Sequence, residues 1–293
     1  MPADHSVFQL KLENILVATD FSAFSKKAVL YATAIARRHR SKLFLAHVVS
    51  SRSESALMDG WRAGQAEIID ELLADRLDGI QHELIVKSGD VSEVLSQLIV
   101  ERGIDLVVVG TRGRTGVRKL ILGSVAENIF RQASCPVLTV GPNIEGQNPE
   151  NAPERILTGT GFAAHSLIAV RYALRLAQDF HSSLALVHVI TGGANGSRET
   201  NGNMREERLA KLRALIPADI ALASEPEFFV EFGSAAEKIL QTAAAWKANL
   251  IVLGLRSIQD PRGHTTWHRA YEIVSKANCP VLTVRGTEKA RSK

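Results

Sequence analysis

The chain has 293 residues, room for two domains of ordinary size that each bury a core. Apolar residues make up 45% and charged residues 23%, and no stretch approaches the roughly 18 uncharged apolar residues of a membrane-spanning helix. The net charge of +4 is mildly basic, but with aromatics at 5% there is no basic face interleaved with rings, so neither membrane insertion nor nucleic-acid binding is expected. The first residues, Met1-Pro-Ala-Asp-His-Ser6, lack a basic stretch followed by an apolar one, which predicts no secretory leader and a cytoplasmic location.

In chain order, strands are expected at Asn14–Thr19, Lys42–Val49, Glu83–Lys87, Asp105–Gly110 and Val137–Val140. Each is a nearly unbroken apolar run, as in a parallel sheet covered on both faces. Helical spacing fills the intervals at Ser25–Arg38, in a long region around Leu57–Leu77, at Ser92–Arg102 and at Ser124–Gln132. Arg37-Arg-His-Arg40 closes the first helix with cations that complement its dipole. Asp90-Val-Ser-Glu93 and Ser124-Val-Ala-Glu127 have the form of helix-starting capping boxes. Cys135, just ahead of Pro136 and the fifth strand, is expected as a small core residue.

The pattern then starts again. Gly141 to Pro153 is polar and rich in Gly, Asn and Pro, and reads as a linker. Cys135-Pro-Val-Leu-Thr-Val140 recurs as Cys279-Pro-Val-Leu-Thr-Val284, 144 positions later. Ile15-Leu16, Tyr31 and His47-Val48 recur 141 positions later as Ile156-Leu157, Tyr172 and His188-Val189, while Gly89 and Gly233 are again 144 apart. So long a period marks a duplicated domain rather than a solenoid. The expected boundaries are 1–143 and 154–288, with a linker at 144–153 and a basic tail at 289–293. Strand–helix alternation implies right-handed crossovers and doubly wound α/β sheets, whose ligands sit beyond the strand carboxyl ends where the strand order switches.

Asp20, Val48 and Gly110 all fall at such strand ends. After Gly110 come Arg112 and Gly113, then Gly123-Ser124 at the start of a helical pattern. Glycines let backbone N–H groups approach a ligand, and a helix N-terminus adds unpaired donors and a positive dipole end, which suits phosphate. Arg112 offers a cation to phosphate oxygens. A plain surface loop ahead of a capped helix has the same composition, and the Ser124 hydroxyl is contested between capping and phosphate. Asp20 is open to two roles, acceptor for ribose hydroxyls or N-cap of the following helix. His47 and His188, repeat partners inside strands, are expected as satisfied core residues. Gly159-Thr-Gly161-Phe-Ala-Ala164 matches the dinucleotide-fold glycines, but the next strand ends Val189-Ile-Thr-Gly-Gly193 without the required acid, so NAD is not expected.

At these residues the chain resembles the universal stress protein family, over about residues 12–142 and 154–286, in the tandem two-domain form. The family's ATP-binding members carry an aspartate after the first strand and a G-x2-G-x9-G-[S/T] pattern, matched here by Asp20 and by Gly110, Gly113, Gly123 and Ser124. The resemblance implies two tandem Rossmann-like domains of the adenine nucleotide alpha hydrolase-like type, each a five-stranded parallel sheet with helices on both faces. It also implies a ribose contact at Asp20, an adenine contact at the Val48 backbone, and Val109, Gly110, Gly113, Gly123, Ser124 and Val125 around ribose and phosphates. ATP, with or without Mg²⁺, is the implied cofactor. The family's last strand commonly pairs with that of a partner domain, which implies a pseudo-dimer of the two halves or a homodimer. The second half departs from the pattern everywhere except Gly254: Gly161 replaces the aspartate, Ser257 the second glycine, and Trp267-His268 the Gly-Ser pair. No nucleotide site is expected there.

The functional expectation is a nucleotide-dependent stress-response regulator that is not an enzyme. A slow ATP hydrolase or nucleotidyl-transfer enzyme is the alternative, but the loop offers arginines and Glu127 without a clear base. An interaction scaffold that binds no nucleotide is the third reading.

Overall fold

The computed structural model describes residues 10–49, 76–111, 123–144, 152–191, 198–256 and 263–285. They divide into two compact units, Leu12–Ala152 and a second formed by the residues from Pro153 on together with those up to Lys11. In the first, β1 (Asn14–Ala18), β2 (Lys42–Val49), β3 (His82–Ser88), β4 (Leu106–Gly110) and β5 (Val137–Val140) lie in the order β3-β2-β1-β4-β5. Every pairing is parallel, with Ile15 facing Leu43 on one side and Leu106 on the other. Helix α1 (Ala23–His39) packs over β1 and β4, α2 (Val91–Glu101) over β2 and β3, and α3 (Ser124–Gln132) over β5 and against α2. Right-handed crossovers put α1 on one face and α2 with α3 on the other. Consecutive residues Ile15, Leu16 and Val17, and likewise Val107 and Val108, are therefore fully buried, which a sheet covered on one face would not allow. Strand order reverses between β1 and β4, and their carboxyl ends open a crevice there.

The second unit repeats the plan. Strands β6 (Arg155–Gly159), β7 (Ser183–Ile190), β8 (Glu227–Phe232), β9 (Leu250–Leu255) and β10 (Val281–Arg285) run parallel in the order β8-β7-β6-β9-β10. Its helices are α4 (Ala164–Phe180), α5 (Arg198–Arg213), α6 (Ala235–Ala245) and α7 (Gly263–Lys276). Small devices recur with the strands. Asp105 Oδ2 accepts the N–H groups of Glu13 and Asn14 at 3.0 Å, and its repeat partner Asn249 accepts the Arg155 N–H at 3.0 Å. Both α1 and α4 end on a left-handed residue, Arg40 (φ 55°) and His181 (φ 56°).

The expected elements shift at their ends by a residue or two. The long helical region expected around Leu57–Leu77 lies almost entirely outside the described residues. Asp90 caps α2 as its motif predicts, accepting from the N–H groups of Ser92 (2.9 Å) and Glu93 (3.0 Å). Cys135 is half-buried and Cys279 buried; both are free thiols, and burial pushes each up to about 12, so neither is poised to react. No helix among the described residues is long and apolar enough to cross a membrane.

Candidate functional site

A cavity of about 240 Å³ lies at the carboxyl ends of β1, β2 and β4 in the first unit. Seven of the nine residues singled out from the sequence line it: Asp20 after β1, Val48 in β2, Val109 and Gly110 in β4, and Gly123, Ser124 and Val125 at the start of α3. Arg112 and Gly113 lie outside the described residues. The sequence reading missed Val91 and Leu95, which add an apolar wall from α2, and Thr19, Ser25 and Thr111, which add hydroxyls. Val91 follows the capping residue Asp90, so its place at the head of α2 was a usable signal.

The turn after β1 decides how Asp20 is presented. Asp20 Oδ1 accepts the Ser22 N–H at 3.0 Å, and Thr19 Oγ1 accepts the Phe21 N–H at 3.1 Å. Phe21 adopts the left-handed region, φ 63°, which turns the chain sharply into α1. Ser22 is the N-cap, its side chain accepting the Ser25 N–H at 3.2 Å. The N-cap alternative for Asp20 is thus corrected: the cap lies two residues later, and Asp20 faces the cavity half-exposed. His47 Nδ1 lies 2.7 Å from the Thr19 carbonyl oxygen, so that nitrogen carries the hydrogen, and its ring packs 4.6 Å from Phe21. It is the satisfied core histidine expected.

On the opposite wall, Gly123 donates its N–H to Thr111 O at 2.8 Å and accepts the Glu127 N–H at 2.8 Å, which makes it the N-cap of α3. Ser124 was expected to cap; instead it is the first helical residue, exposed, because Gly123 already holds the capping geometry. The first-turn amides of Ser124, Val125 and Ala126 therefore have no intrahelical acceptor, and all three residues line the cavity. A Cβ on Gly123 would come within 3.3 Å of Thr111 O and crowd this turn. Aligned donors and the positive dipole end give this wall chemistry that suits an anion. Among the described residues no group of three or more His, Cys, Asp or Glu could hold a metal.

The second unit keeps the frame and loses these features. Thr160 Oγ1 accepts the Phe162 N–H at 3.1 Å, Phe162 has φ 61°, and His188 Nδ1 lies 2.8 Å from Thr160 O with its ring 4.6 Å from Phe162. Gly161 stands for Asp20, and the cap Ala163 offers no side-chain acceptor. Helix α7 starts at Gly263, ahead of Trp267 and His268, the repeat partners of Gly123 and Ser124. Amides that open the helix in the first unit thus correspond to helix interior in the second. Trp267 packs against His268 (ring centroids 5.0 Å apart) and Tyr271 (5.1 Å). Gly254 survives for another reason: a Cβ there would lie 2.1 Å from His165 O, so the close approach of α4 demands glycine. Ser257 lies outside the described residues.

Known proteins share this organisation. The sequence model of the universal stress protein family matches residues 11–141 and 153–285. A universal stress protein of Bacillus subtilis, YxiE, is 29% identical over 143 residues, covering 43% of this chain and 97% of that protein. The crystal structure of a universal stress protein from Archaeoglobus fulgidus covers 94% of this chain and 99% of its own with a TM-score of 0.66 at 18% identity, a likeness of fold. A universal stress protein crystallised in complex with cAMP is 30% identical, covering 44% of this chain and 96% of its own, with a TM-score of 0.36. With both repeats matched, the chain belongs to the universal stress protein family and carries two of its domains in tandem.

Proposed function

We propose that the first domain binds an adenine nucleotide, ATP, and that the chain acts in the cytoplasm as a nucleotide-dependent stress-response regulator rather than a turnover enzyme. One observation carries this reading. A carboxylate, an apolar wall and an open helix N-terminus, from separate segments, line one cavity at the switch in strand order. Val48, Val91 and Leu95 would flank the base, Asp20 would accept from ribose hydroxyls, and the amides of Ser124 to Ala126 would receive phosphate oxygens. Arg112 and Gly113 would complete the phosphate end. Mg²⁺ would enter with the triphosphate, whose oxygens supply ligands that a single carboxylate cannot. Hydrolysis calls for a water-orienting group and cationic stabilisation. Asp20, the one ionisable side chain among the described lining residues, is taken by the ribose in this reading, which leaves no assigned base for turnover.

Calorimetric titration of the purified chain with ATP is expected to give one nucleotide per chain. Asp20→Ala should weaken binding by about tenfold to a hundredfold, the range of a hydrogen bond to a charged group. Gly123→Val should abolish it, with circular dichroism unchanged in both. Two nucleotides per chain, or wild-type affinity in both variants, would remove the assignment.

A further inference from the structure

We infer that the Thr111 hydroxyl is a ligand-binding group of this cavity, donating to a phosphate oxygen of the bound nucleotide; the inference rests on the nucleotide reading of the site. Thr111 follows Gly110 directly, and its backbone is fixed twice. Its N–H donates to Val140 O at 3.0 Å, and its carbonyl accepts the Gly123 N–H at 2.8 Å. The residue lines the cavity yet is only 2% exposed, and its Oγ1 has no hydrogen-bond partner among the described residues. Buried hydroxyls in folded proteins are nearly always paired, so an orphan calls for a cause.

The duplicate copy supplies a control. The repeat partner of Thr111 is Leu255, equally buried at 2%, so packing at this position does not require a hydroxyl. Thr139 Oγ1 is also unpartnered, but its repeat partner Thr283 keeps the hydroxyl in both copies and so does not track the site. Thr111 does track it. The Thr111 carbonyl already holds the cap of α3, which sets the residue beside the first-turn amides. A hydroxyl donor there extends the anion-binding wall.

The test compares wild type, Thr111→Val and Thr111→Ser as full-length chains, titrated with ATP, AMP and adenosine, and melted without ligand. Thr111→Val should bind ATP and AMP about tenfold to a hundredfold more weakly while leaving adenosine unchanged, and Thr111→Ser should recover most of the loss. Unliganded Thr111→Val should melt no lower than wild type, because no bond within the fold is removed. Wild-type ATP affinity in Thr111→Val would overturn the inference and leave the nucleotide site standing. An equal loss for adenosine, or a lower melting point without ligand, would also overturn it. If wild type binds none of the three ligands, the nucleotide reading and this inference fall together.

Discussion

The corners after β1 and after β6 are built from the same parts, and only the first adds a carboxylate, Asp20. Both have a threonine hydroxyl holding the next-but-one amide, a left-handed phenylalanine, a serine in the first helical turn and a histidine ring donating to the threonine carbonyl. Since the second corner keeps all of this without the aspartate or the open helix end, the frame serves the fold. Three differences between the copies fall where the nucleotide is proposed to bind: Asp20 against Gly161, Thr111 against Leu255, and the α3 N-terminus against the extended start of α7. Duplication thus separates two causes that a single domain would confound.

The strongest way to break this comparison is at Gly254, which matches the site pattern but is assigned to packing. Gly254→Ala forces a Cβ against the backbone of His165 and Ser166, and should cost about 3 kcal/mol, the upper end of ordinary overpacking. A fall in the urea midpoint of that domain, with ATP binding intact, is the expected outcome. Unchanged stability would mean the glycine was kept for something else.

A smaller effect sharpens the role of the histidines. Burial, reinforced by the charges of Arg208 and Lys211, holds His188 below its usual value, against the opposing pull of the Thr160 carbonyl. The unfolded chain therefore takes up the proton first. This contribution to stability is complete above about pH 6.5 and declines as the pH falls from there towards the folded-state value. Melting curves between about pH 7 and 5 should be flatter for His188→Gln than for wild type. Parallel slopes would show that the ring's protonation is not felt by the fold.

The smallest expected effect is the most discriminating. Beyond the adjoining residues of the chain, no atom lies within 4 Å of a Cβ built on Gly161, so Gly161→Asp should change stability by less than about 0.5 kcal/mol. Nucleotide stoichiometry should stay at one, because α7 still covers the position of the missing helix end. A second bound nucleotide would show that the aspartate alone was lacking.

The sheets were legible because strands buried on both faces must be apolar along their whole length, and Asp90 was legible because its side chain does the capping. Ser124 was misread because Gly and Ser both suit an N-cap, and the choice is made by the bond from Gly123 N–H to the distant Thr111 carbonyl. The early start of α7 was hidden because Thr265 and Thr266 are poor helix formers and the repeat alignment carries no helix limits. Thr111 was passed over as an unspecified position inside a glycine pattern. Its meaning came from a missing partner, which no spacing reveals.

The left-handed phenylalanines carry a last consequence. A bulky residue at φ near 60° costs about 1 kcal/mol or more, and such outliers are usually read as energy stored for function. Phe162 holds the same conformation as Phe21 although Gly161 replaces the neighbouring aspartate, so the strain at this corner is borne by the architecture itself. Searching this fold for active regions by backbone outliers would therefore flag both domains alike and could not tell the corner with the aspartate from the corner without it.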